Sequence, residues 1–151
     1  MRTQWLMVAD AGRAQIFATD AVHDVLEPVQ SHVHPASRIE THDLVSGPRG
    51  SMTAGPGGAH SSFERHTDPH RVEIESFARE LAAAARSGRV EHEFEELIVV
   101  APPRLLGLIR SHLDVDTERC LVGSIAHDWM DIPQRELLAR VRTALAGAPT
   151  S

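Results

Sequence analysis

The side chains of this 151-residue chain that could do chemistry gather around one Gly-rich stretch. His60, His66 and His70 fall within eleven positions, with Glu64 and Asp68 between them. Imidazoles and carboxylates together are the donor set of zinc and related divalent sites, which activate water for hydrolysis. The spacing matches no established metal motif. His66 and His70 are four apart, but Asp68-Pro69 between them reads as an N-cap followed by Pro at the first helical position, so the pair need not share a helical face. No metal and no cofactor is therefore assigned, and these are read as surface histidines in solvent or beside a phosphate. Arg49, Arg65 and Arg71 set against Glu64 and Asp68 leave one net positive charge in the same region. That local bias contrasts with a formal net charge of −6 for the whole chain, which excludes a protein built to coat nucleic acid.

Other candidates are more scattered. Asp10 and Arg13 bracket Ala11-Gly12, where Asp10 either closes a turn through its side chain or lines a pocket with Arg13 at the end of a sheet. Arg104 follows Pro102-Pro103, placing a guanidinium after a buried strand and near a helix N-terminus, where anions bind. His23, His32, His34 and His42 show no ligand spacing. The lone Cys120 excludes an intramolecular disulfide and a cysteine-rich zinc site, and its setting, RCLVGSI, reads as a buried inert thiol. No Walker loop, dinucleotide fingerprint or serine-nucleophile elbow is present.

The elements that must position these groups follow from patterning. A 42% hydrophobic and 24% charged composition is that of one globular domain, 1–151. Gln4 to Ala9, Ala14 to Thr19 and Val25 to Val33 read as three strands in an antiparallel meander. Residues 46–67, SGPRGSMTAGPGGAHSSFERHT, read as a flexible Gly/Pro/Ser-rich loop, a length that in a compact domain points to function or disorder. Val72, Ile74, Phe77, Ala78, Leu81 and Ala85 recur at helical spacing, predicting a helix from Pro69 to Ser87 with Gly88 as its stop. Leu97 to Ala101 is a continuous apolar strand, the kind buried on both faces. A helix from Arg104 to Leu113, a strand from Cys120 to Ala126 and a helix from Pro133 to Ala146 complete the chain, with 147–151 as a frayed tail. The order β-β-β-α-β-α-β-α predicts a mixed α/β sheet of ribonuclease H-like type, with right-handed crossovers and helices on both faces. A two-metal nuclease on that fold needs a third carboxylate at the end of the fourth strand. Asp10 and Glu73 or Glu75 could serve as two ligands, but that strand ends Val-Ala-Pro-Pro and Asp128 is a poor replacement.

Three segments carry a resemblance. WLMVADAGRAQIF at the start, DPH-R-E at Asp68 to Glu73, and FEELIVVAPPRLLGLIRSHL at 94–113 together resemble the bacterial host attachment proteins over nearly the whole chain. A looser resemblance links the turn Asp10 to Ala14, and a Gly-rich loop preceding a long helix, to the middle domain of archaeal and eukaryotic peptide-chain release factors. In release factors that loop carries Gly-Gly-Gln and promotes peptidyl-tRNA hydrolysis. Here Gly57-Gly58 is followed by Ala59 and His60, so the glutamine is missing. The resemblance implies a non-catalytic, ribosome- or RNA-associated domain that contacts its partner through Arg49, Gly57, Gly58, His60, Arg65, His66, His70 and Arg71. Two alternatives stay open: a small metal-dependent hydrolase using the loop histidines and Asp10, and a protein-interaction module, homodimeric through its own surface, with an indirect role in host attachment. With no membrane-length apolar run and no signal-peptide pattern, the expected location is the cytoplasm, with neither membrane nor DNA as partner.

Overall fold

Strands β1 (Thr3–Ala9) and β4 (Glu96–Ala101) lie side by side at the centre of a sheet, and their burial explains why both read as unbroken apolar runs. The computed structural model describes residues 2–20, 25–34 and 69–147, with the backbone alone for 69–72. β1 turns through Asp10–Arg13 into antiparallel β2 (Arg13–Asp20), which pairs antiparallel with β3 (Glu27–Val33). On the other side β1 runs parallel to β4, and β4 parallel to β5 (Leu121–Ala126). The result is a mixed five-stranded open sheet in the order β3-β2-β1-β4-β5. β3 carries Pro28, which has no N–H to donate. The strand tolerates it at the sheet edge, beside a register shift that pairs Ile16 with Gln30 but Phe17 with Pro28.

Alternation along the central strands divides the core in two. Trp5, Met7 and Ala9 of β1, with Leu97, Val99 and Ala101 of β4, face helices α1 (Pro69–Val90) and α2 (Pro103–His112). Leu6, Val8, Ile98 and Val100 face the opposite way, onto Leu137, Leu138 and Val141 of helix α4 (Gln134–Ala146). The helical spacing read from the sequence holds: Phe77, Ala78, Leu81 and Ala85 are fully buried. Among the described residues no helix is long and apolar enough to cross a membrane.

Three expectations need correction. Gly88 does not stop α1; the helix runs through it to Val90. A Cβ on Gly88 would lie 2.5 Å from Trp5 Cη2 and 3.0 Å from Phe94 Cε2, so this glycine serves a close approach of helix to sheet. The stop comes at His92, the one described non-glycine residue at positive φ, 60°. The His92 and Glu93 N–H groups donate back to the Arg89 and Gly88 carbonyls at 3.0 and 2.8 Å, the paired bonds of a Schellman cap. Because left-handed backbone costs a side-chain-bearing residue about 1–2 kcal/mol, His92→Gly at this exposed position should raise the unfolding free energy by about 1 kcal/mol. Urea denaturation checks this: the midpoint should rise with the slope unchanged.

The second correction is an additional five-residue helix, α3 (Val115–Arg119), between α2 and β5. Asp114 caps it, its carboxylate accepting from the Thr117 N–H and Oγ1–H. Arg89 at the end of α1 donates to Thr117 Oγ1 at 2.9 Å and pairs with Asp114 at 3.3 Å. The hydrogen bond from Thr117 is the main reason the Asp114 carboxyl is held below its ordinary pKa. Third, Cys120 belongs to the cap of α3 rather than to β5, and is half-buried against the α1 side of the core.

Candidate functional site

Strand directions bring one end of the sheet to prominence. β2 opposes both β1 and β3, so the carboxyl ends of β1, β3, β4 and β5 all lie at the same end. The residues that follow those ends are Asp10, His34, Pro102 and His127. In open α/β sheets this is where ligands bind, because strand ends and helix N-termini leave polar groups around a crevice.

Asp10 closes its turn as one sequence reading expected. Its Oδ1 accepts from the Gly12 and Arg13 N–H groups at 2.9 and 2.8 Å, and the Asp10 N–H donates to the Arg13 carbonyl at 2.8 Å. The same carboxylate also faces Arg13, whose Nη2 lies 3.5 Å from Asp10 Oδ2 and 3.4 Å from Asp131 Oδ1. Asp10 thus serves the turn and also pairs with Arg13. Arg13 ties the first hairpin to the segment between β5 and α4.

His34 stands at the exit of β3. Its N–H donates to the Gly12 carbonyl at 3.0 Å, and its ring is 8% exposed, tilted at 31° against Phe77 with 5.2 Å between centroids. Nε2 meets Glu73 Oε1 of α1 at 2.7 Å, while Nδ1 is buried with no hydrogen-bond partner among the described residues. Two residues earlier His32 meets Glu80 at 2.9 Å and Gln30 at 3.0 Å. Two His–Glu rungs thus fasten the edge strand to α1, seven residues apart on the helix. No local pattern links Glu73 to His34, since the contact spans 39 residues.

After β5, His127 stacks on Trp129 with 4° between ring planes, and Arg140 of α4 lies 5.7 Å from the indole centroid. Arg104 is exposed in the first turn of α2. Pairing of Ala101 with Ala126 puts Pro102, and so the start of α2, beside His127.

Several predicted groups are not brought together. Glu73 is engaged with His34, whereas Glu75 lies near Arg79 and 3.4 Å from His112, where the geometry falls short of a hydrogen bond. Among the described residues no group of three or more His, Cys, Asp or Glu side chains could hold a metal ion. Arg49, Gly57, Gly58, His60, Arg65 and His66 lie outside the described residues, as does the 46–67 stretch. His70 and Arg71 lie in α1, but their side chains are outside what is described. Glu96, held below its ordinary pKa by hydrogen bonds from Gln4 and then Arg2, stands at the opposite end of the sheet.

The model of one family, described as protein required for attachment to host cells, matches residues 5–141. The chain belongs to that family. The match runs from β1 into α4, so the site described above lies within the host attachment domain. No curated protein matches this host attachment protein.

Proposed function

We propose that this host attachment protein is a non-catalytic, RNA-contacting domain that associates with the ribosome in the cytoplasm. Its fold is read as ribonuclease H-like and akin to the release-factor middle domain. Support for that kinship comes from the strand order β3-β2-β1-β4-β5 with only β2 antiparallel to the rest. The observation that carries the functional reading is the fastening of His34 to both Gly12 and Glu73. It holds the exit of β3 and the first turns of α1 together at the carboxyl end of the sheet, so the chain that carries Gly57-Gly58 departs beside Arg13. The residues offered to RNA are Arg49, Gly57, Gly58, His60, Arg65, His66, His70 and Arg71. Hydrolysis of peptidyl-tRNA is not assigned, because Ala59 replaces the glutamine whose side chain would place the attacking water.

Sucrose-gradient sedimentation of the tagged protein with ribosomes tests this. Wild type should co-migrate with ribosomal particles, and Gly57→Ala/Gly58→Ala should not. Equal sedimentation of both, or no co-migration of either, would remove translation as the working context.

A further inference from the structure

The segment joining β5 to α4 carries an aromatic arrangement that the reading above leaves unused. Trp129, Met130 and Ile132 pack against the core under α4, which holds the indole in place. His127 lies flat on that indole, 5.3 Å between centroids and 4° between planes, yet its residue is exposed. One imidazole face is therefore backed by a fixed aromatic ring and the other is left to solvent. Arg140 approaches the indole at 5.7 Å, close enough for a cation–π contact that further restrains it.

A pre-stacked ring that ends in an open π-face suits a planar aromatic ligand. A nucleobase adds to such a stack whatever its sequence, since every base has a π-face. Exposed Asp128 and Asp131 flank the stack, and their charge works against a phosphate there, so binding depends on the π-face and on a cation close by. The neighbouring strand end supplies what the rest of a nucleotide needs. Arg104, exposed in the first turn of ten-residue α2, has no ion pair among the described residues, and the pairing of Ala101 with Ala126 sets that turn beside His127. A guanidinium at a helix N-terminus is a favourable place for a phosphate.

We propose that His127, stacked on Trp129, is a platform for an unpaired base of single-stranded RNA, with Arg104 receiving the adjoining phosphate. The proposal rests on the RNA-contacting reading and locates one contact of it.

The chain has two tryptophans, and Trp5 is only 1% exposed, so quenching by an added base reports Trp129. The full-length protein is titrated with a ten-nucleotide oligoadenylate RNA and, separately, with adenosine monophosphate. Saturable quenching by the RNA is expected. His127→Leu still covers the indole but offers no π-face, and should weaken binding roughly 5- to 150-fold, the range for loss of one stacked base. His127→Phe keeps the face and should bind at least as well as wild type. Quenching by the mononucleotide at equal affinity would support the platform and assign it to free nucleotide. Absence of saturable quenching by either ligand, or RNA binding by His127→Leu equal to wild type, would overturn the proposal. Persistent oligonucleotide binding without ribosome co-migration would remove the ribosomal reading and leave the platform standing.

Discussion

Gly88→Ala is expected to destabilise the protein by about 1–3 kcal/mol, the range for overpacking a filled core. The sign is informative because helix propensity points the other way, favouring Ala over Gly by about 1 kcal/mol in a helix interior. The added methyl would sit 2.5 and 2.6 Å from the Trp5 ring carbons Cη2 and Cζ3, well inside contact distance. Trp5 cannot swing away, because it is 1% exposed and its ring lies 4.9 Å from that of Phe94, which closes the same space. The strain must go into shifting α1 off the sheet or turning a packed indole out of its rotamer. If steric conflict is the cause, Trp5→Phe should cost stability alone yet lessen the damage of Gly88→Ala. The combined loss then falls short of the sum of the two single losses. Urea midpoints of the four proteins decide it, and strict additivity would mean the two positions do not compete for space.

Glu73→Ala should cost about 1–3 kcal/mol, the penalty of leaving a buried polar group without its partner. His34 already has Nδ1 buried with no partner among the described residues, and removing the Glu73 carboxylate strips Nε2 as well. Because Glu73 is 40% exposed and His34 only 8%, water can replace the carboxylate only in part. Glu73→Gln retains an acceptor and should lose less. Replacing both partners by apolar groups is far less costly than orphaning one. His34→Leu should therefore restore much of what Glu73→Ala removes, and chemical denaturation of the double variant checks this. Should Glu73→Ala prove neutral, the His34 rung contributes no net stability and the edge strand is held by its pairing to β2 and the His32–Glu80 contact.

The family assignment and the outline of the fold were readable because they depend on local pattern. Short strand-like runs and three amphipathic segments give the element order wherever periodicity is long enough to separate 2.0 from 3.6 residues per repeat. Asp10 was readable as a turn residue because its two side-chain bonds reach only to Gly12 and Arg13. Asp114 could have been found the same way, since Asp is a preferred N-cap and its capping bonds reach only to Thr117. The helix α3 that it starts is too short to show a period of its own.

What the tertiary structure alone decided are pairings between residues far apart in sequence. Gly88 carries a stop signal in its neighbourhood, but the Trp5 ring against it comes from a strand more than eighty residues earlier, and packing overrides the local preference. His34 has no ligand spacing with its neighbouring histidines; its partner Glu73 reaches it only because strand and helix cross at the sheet edge. Arg13 and Asp131 meet across 118 residues of chain, and His127 lies beside the start of α2 because β4 and β5 are adjacent and parallel. Propensity, capping and turn chemistry act over a few residues and are written in the sequence. Close approach, burial of a polar ring and the gathering of strand ends depend on which elements become neighbours, and for this chain that was decided by the sheet.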